Sequence, residues 1–120
     1  METALLIGQI LFGGYFLVMG SMHFTQYKMM HMMAKQKGTP LAGLATVVGG
    51  LFLILGGLGI LFWTQVGISV LLLIIFLFFA ALFIHNFWAL KDPMDKMIQM
   101  VNFMRNIGLI GALLIIYSIM

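Results

Sequence analysis

The chain has no cysteine among its 120 residues, which excludes a disulfide framework, a thiolate metal centre and CxxC redox chemistry carried by the chain itself. Acidic residues are scarce too: Glu2, Asp92 and Asp95 are the only three. None lies within a long apolar stretch, so the paired carboxylates of acid–base catalysis and the buried acid of a cation pathway are both missing. Charged residues of either sign make up 8% of the chain, against about 25% in an ordinary soluble domain. Six Lys and Arg against three acids give a net charge of +3, but scattered basic residues form no nucleic-acid-binding stripe. What is abundant is hydrocarbon: 63% of residues are hydrophobic and the mean hydropathy is +1.16.

Runs of about 20 apolar residues are read as transmembrane helices, because a rise of 1.5 Å per residue must cross roughly 30 Å of hydrocarbon. Four such spans are predicted, at about 4–22, 41–63, 68–90 and 98–120. The fold class is therefore all-α, a single-domain integral membrane four-helix bundle. The segment Thr64-Gln65-Val66-Gly67 is expected to make the tight turn between spans two and three. Thr39-Pro40 and Asp92-Pro93 each place a capping side chain before a proline, and are expected to start helices. Glu2 replaces a basic leader and no small-x-small site follows, so the first span is expected to be retained.

Lys28, Lys35 and Lys37 lie between spans one and two, and Lys91, Lys96 and Arg105 lie around the start of span four. With four spans, both groups fall on one side. The positive-inside rule makes that side cytoplasmic and puts both termini outside. The two halves also share a plan, each with a long helix reaching a histidine (His23, His85), a basic connection and an X-Pro start.

Residues 22–38 are too polar to span and too rich in methionine for a free loop, which suits a short amphipathic helix lying in the membrane interface. Met29, His31 and Met33 within it offer soft ligands, and copper(I) is the metal alternative to methionine as adaptable apolar surface. Gly43, Gly50 and Gly57 recur at intervals of seven with Gly49 and Gly56 beside them, Gly13 and Gly20 repeat the spacing, and Gly108, Gly111 and Ala112 give span four a small-residue face. Such stripes let helix backbones approach closely, either within one bundle or across a homo-oligomer seam.

Polar residues interrupt this apolar background in one layer. Asp95, Gln99, Asn102 and Asn106 step by four, three and four along one helix face, with Arg105 beside them. His85 and Asn86 close span three and His23 closes span one, at a similar depth. Arg105 and Asn106 lie roughly 6 to 8 Å inside the hydrocarbon boundary, shallow enough for Arg105 to snorkel. The asparagines have no such route, and a buried amide without partners costs about 1–3 kcal/mol. Two readings follow: an interhelical network that locks the helices, or a ligand pocket built from His23, His85, Asn86, Trp88, Asn102, Arg105 and Asn106. With donors, titratable imidazoles, aromatic walls and no acid, such a pocket suits a quinone or a lipid.

His85-Asn86-Phe87-Trp88, Asp92-Pro93 and Asn102-Phe103-Met104-Arg105-Asn106-Ile107-Gly108 together resemble the C-terminal half of short DoxX-family membrane proteins, whose pattern is roughly HxFW, a DP turn, then F-[KR]-N-hydrophobics-G. Gly13-x-x-Phe16-x-x-x-Gly20-x-x-His23 is similar to that family's first helix, with His23 where a lysine is usual, and Gly56-Gly57 matches its paired glycines. The arginine common near the start of that helix is replaced here by Gly8-Gln9. The resemblance implies a bacterial or archaeal inner-membrane protein. Some relatives are subunits or partners of membrane oxidoreductases, thiosulfate:quinone oxidoreductase among them. A redox-associated subunit receiving quinone or lipid, its electrons supplied by a membrane or cytoplasmic oxidoreductase partner, is one expectation. A non-catalytic scaffold contacting membrane lipids or a larger complex is the other.

Overall fold

The computed structural model describes residues 2–120, and among them every regular element is helical. Four helices are long and apolar enough to cross a membrane: α1 (Glu2–Thr25), α3 (Ala42–Phe62), α4 (Val66–Phe83) with the short 3-10 turn that follows it, and α5 (Pro93–Ile119). The fifth, α2 (Tyr27–Gln36), is a separate ten-residue helix within the segment where the sequence predicts one. Only Gln26, at φ −111° and ψ 33°, breaks the path from α1 into α2, and its N–H still donates to the Met22 carbonyl.

The helix ends correct several expectations. Thr39 does not cap α3. It closes α2 instead: Gly38 takes a φ of 78°, its N–H donates to the Lys35 carbonyl, and the Thr39 N–H reaches back to the Ala34 carbonyl. That is a glycine-centred helix stop, and it leaves Leu41, at φ 49°, as the residue preceding α3. The turn between spans two and three is Trp63-Thr64-Gln65, with Trp63 and Gln65 both left-handed (φ 52° and 48°), so Val66 and Gly67 already belong to α4. Span three ends as a regular α-helix at Phe83, seven residues before the expected 90. The Ile84 and His85 N–H groups converge on the Ala80 carbonyl, and the chain continues as a 3-10 turn over Phe87–Ala89. Asp92-Pro93 does behave as predicted: Asp92 is extended, as a residue before proline should be, and its Oδ2 accepts from the Asp95 N–H at 3.0 Å. The helix that carries span four accordingly starts at Pro93, five residues ahead of the apolar run expected from 98.

Packing follows the glycines. α1 lies against α3, α3 against α4 and α4 against α5, while α1 and α5 form no comparable seam. A Cβ added to Gly57 would sit 2.9 Å from the Gly13 carbonyl oxygen, and one on Gly20 would sit 2.9 Å from the Gly50 carbonyl oxygen, so α1 and α3 meet backbone to backbone. On the other side of α3, Gly49, Gly56 and Gly59 receive Phe76, Leu73 and Ser69 of α4. Phe16, Leu53, Ile60, Leu73 and Leu113 fill the centre from all four long helices, each at most 1% exposed. α2 folds against α3 by setting Tyr27 and His31 over Gly43. The up-and-down order brings α2 and the α4–α5 connection to one end, where Lys37 Nζ donates to Asn86 Oδ1 at 3.3 Å.

Candidate functional site

His23 is seated by glycine. Its Cβ would lie 2.8 Å from a Cβ at position 50, and its ring edge 3.4 Å from one at position 49, so the bare backbone there admits the imidazole between α1 and α3. Its Nδ1 lies 2.9 Å from the Thr46 carbonyl oxygen, and its ring meets Phe76 of α4 edge-on at 5.4 Å. The Thr46 hydroxyl turns away to the Ala42 carbonyl at 2.8 Å, the usual satisfaction of a threonine inside a helix.

On the opposite wall a hydrogen-bonded chain runs along α5. His85 Nδ1 meets Gln99 Oε1 at 2.7 Å, and Asn102 Nδ2 donates to the same oxygen at 3.5 Å. Arg105 donates from Nη1 to Asn102 Oδ1 at 3.5 Å and from Nη2 to Asn106 Oδ1 at 3.4 Å. Asn106 Nδ2 ends the chain on the Leu77 carbonyl of α4 at 3.3 Å. Exposure falls along the polar stripe as its sequence period predicts: Asp95 is exposed, Gln99 and Asn102 are half-buried, and Asn106 is 2% exposed.

Between these walls lies a cavity of about 410 Å³, walled mostly by apolar and aromatic side chains such as Phe16, Phe52, Phe76 and Phe83. That size is within the range of small-molecule sites, about 300–1,000 Å³. Of the seven candidate residues, His23, His85, Arg105 and Asn106 line it. The other three do not. Asn86 is engaged by Lys37 outside it, Asn102 acts only as a link between Gln99 and Arg105, and Trp88 is 53% exposed. Trp88 packs edge-on to Phe87 and Phe103, at 5.3 and 5.7 Å, as an aromatic cluster at the same end of the bundle.

The methionine segment divides differently from the copper expectation. His31 turns to Tyr27 (ring centroids 5.4 Å) and Gly43, Met29 is 63% exposed, and Met33 joins Met30 on the cavity wall. The helix period separates His31 from the two methionines, since a residue two positions away lies on the far side. Met29, His31 and Met33 therefore do not converge. Gln99, Thr39 and Thr46 complete the site, and sequence reasoning did not select them. Gln99 stood on the recognised polar stripe, and Thr46 was a lone hydroxyl in span two. Thr39 carries the sequence signal of a cap. Its Oγ1 is buried at the cavity wall and is the one such side-chain atom among the described residues with no hydrogen-bond partner. Comparison with protein-family models, curated proteins and solved structures finds no match to this chain.

Proposed function

We propose that the chain is a multipass membrane protein that holds an amphiphile, a quinone or a lipid, with its oxygen-bearing head in this cavity and its apolar body among the aromatic walls. One observation carries the reading: a single cavity of about 410 Å³ gathers His23, His85, Arg105 and Asn106 inside a shell that is mostly apolar. The end of the bundle that holds the cavity has six cations, Lys28, Lys35, Lys37, Lys91, Lys96 and Arg105, against two acids, Asp92 and Asp95. That balance suits an oxygen-bearing head without positive charge and supports placing the same end at the cytoplasmic face. α2 then lies in the interface, with Met29 and Met32 exposed toward the lipid while Met30 and Met33 face the cavity. The DoxX-like pattern adds the role of a subunit or partner of a membrane oxidoreductase in a bacterial or archaeal inner membrane.

A second reading has its own support. His85, Gln99, Asn102, Arg105 and Asn106 each find at least one partner within the chain, which a non-catalytic scaffold with a purely locking network also requires. Purification in nanodiscs followed by extraction and identification of bound small molecules separates the two. The pocket reading expects a specific quinone or lipid that is lost in Ala80→Phe, which fills the cavity from α4. A wild type that retains nothing, with Arg105→Ala and Asn106→Ala merely less stable, leaves only the scaffold. Sidedness has an independent test: a lone cysteine at position 37 should react with an impermeant thiol reagent only from the cytoplasmic side.

A further inference from the structure

The orientation of the hydrogen-bonded chain is decided by its one donor-only member. A guanidinium has five N–H donors and no acceptor. Arg105 therefore meets Asn102 and Asn106 at their oxygens, as the contacts at 3.5 and 3.4 Å have it. With its Oδ1 turned to Arg105, Asn102 presents its amide Nδ2 to Gln99, whose Oε1 accepts at 3.5 Å. That oxygen also faces His85 Nδ1 at 2.7 Å, so the ring nitrogen has to be the donor. A neutral imidazole whose Nδ1 carries the proton has a bare acceptor at Nε2. His23 reaches the same state by a shorter route, because its Nδ1 faces the Thr46 backbone carbonyl, which can only accept. Both histidines line the cavity, and neither Nε2 has a partner within the chain or is buried without one.

The geometry points to Arg105 as a positioning residue that acts through Asn102 and Gln99 to hold His85 in its Nδ1–H form, so that two imidazole acceptors, His85 Nε2 and His23 Nε2, receive an amphiphile whose head donates hydroxyl groups. This rests on the pocket reading above and specifies the class of ligand. A cationic donor such as an ammonium head is disfavoured by Arg105 and Lys37 at the same end. A phenolic or polyol head supplies the donor without the charge. The Arg105 side chain thus has a role in the site even though it is exposed at the bundle surface.

The test uses the full chain, labelled with 15N-histidine, in micelles at neutral pH. The three histidines are assigned with His23→Gln and His31→Gln. The expected result is an Nδ1–H tautomer at both His23 and His85 in the wild type. Arg105→Leu and Asn102→Leu should each release His85 into a mixture of tautomers, Arg105→Lys should retain the wild-type form, and His23 should stay unchanged throughout as an internal control. A wild-type His85 that carries its proton on Nε2, or a tautomer indifferent to both leucine variants, overturns the positioning role. Titration with octylphenol, 1-O-octylglycerol and octylanisole then tests the ligand class. At least one hydroxyl probe should saturate and shift the His85 Nε2 resonance, with octylanisole binding about tenfold more weakly for want of one hydrogen bond. The tighter of the two hydroxyl probes tells an aromatic head from a polyol. Equal binding of octylanisole overturns the donor assignment while leaving the pocket in place, and saturable binding by none of the three overturns both.

Discussion

α3 and α5 are both apolar helices carrying glycines at short intervals, yet the same residue does opposite things in them. In α3 the glycines at 43, 49, 50, 56, 57 and 59 each have a neighbour within contact distance of where a side chain would begin. In α5, Gly108 and Gly111 face nothing within 4 Å. α5 is held instead by large groups: Leu113 is 0% exposed and Asn106 2% exposed, the latter tied to the Leu77 carbonyl of α4. For helices in a bilayer, where lipid and helix surface are equally apolar, association depends on close packing and interhelical hydrogen bonds. α3 uses the first and α5 the second. The consequence is spatial: α1, α3 and α4 are drawn together, while the side between α1 and α5 stays wider. The cavity described above and a second one both have lining residues on α1 and α5, the second being an almost wholly apolar groove of about 350 Å³ between Phe12, Trp63 and Ile116 at the end away from His23.

The contrast can be broken most forcefully at Gly57. Gly57→Leu places a side chain against the Gly13 carbonyl oxygen and the Leu17 backbone nitrogen, at 2.9 and 3.1 Å from its Cβ alone, and neither can yield without parting α1 from α3. A loss of more than about 3 kcal/mol is expected in reversible unfolding from mixed micelles. Leu113→Ala should cost about 3 kcal/mol in the same assay, because it empties the anchor of α5 at the centre of the core. Asn106→Leu removes the bond to α4 and an acceptor from Arg105, for about 2 kcal/mol. The smallest effect has the opposite sign. Gly111→Ala, on the open face of α5, should raise stability by about 0.5–1 kcal/mol through helix propensity alone. A loss there instead, accompanied by a smaller particle mass, would place a second copy of the chain on that face.

Four helices could be read directly from hydrophobic runs, because length and polarity are local properties and the bilayer sets one simple criterion for both. The polar stripe from Asp95 to Asn106 was legible for a similar reason: helical period alone puts those residues on one face. Helix ends were less so. Thr39-Pro40 and Asp92-Pro93 carry the same signal, yet only Asp92 caps a helix, since Gly38 recruits Thr39 to stop α2 first. Left-handed Trp63 and Gln65 gave no sign in sequence, for such conformations ordinarily mark glycine or asparagine.

What the sequence by itself determined is the number of long apolar helices, their alternating direction and the collection of basic residues, histidines and amides toward one end. Each of these depends on order and composition along the chain. What only the tertiary structure decided is which polar groups share a space. His23 and His85 are 62 positions apart in the chain, and they meet one cavity because glycines on α3 admit one ring while Gln99 on α5 orients the other. Asn86 and Trp88, beside His85 in sequence, fall outside it because the chain leaves the helix at Phe83 and turns their side chains elsewhere. Backbone termination and the nearness of a second helix are set by contacts between distant residues, and no local pattern encodes them.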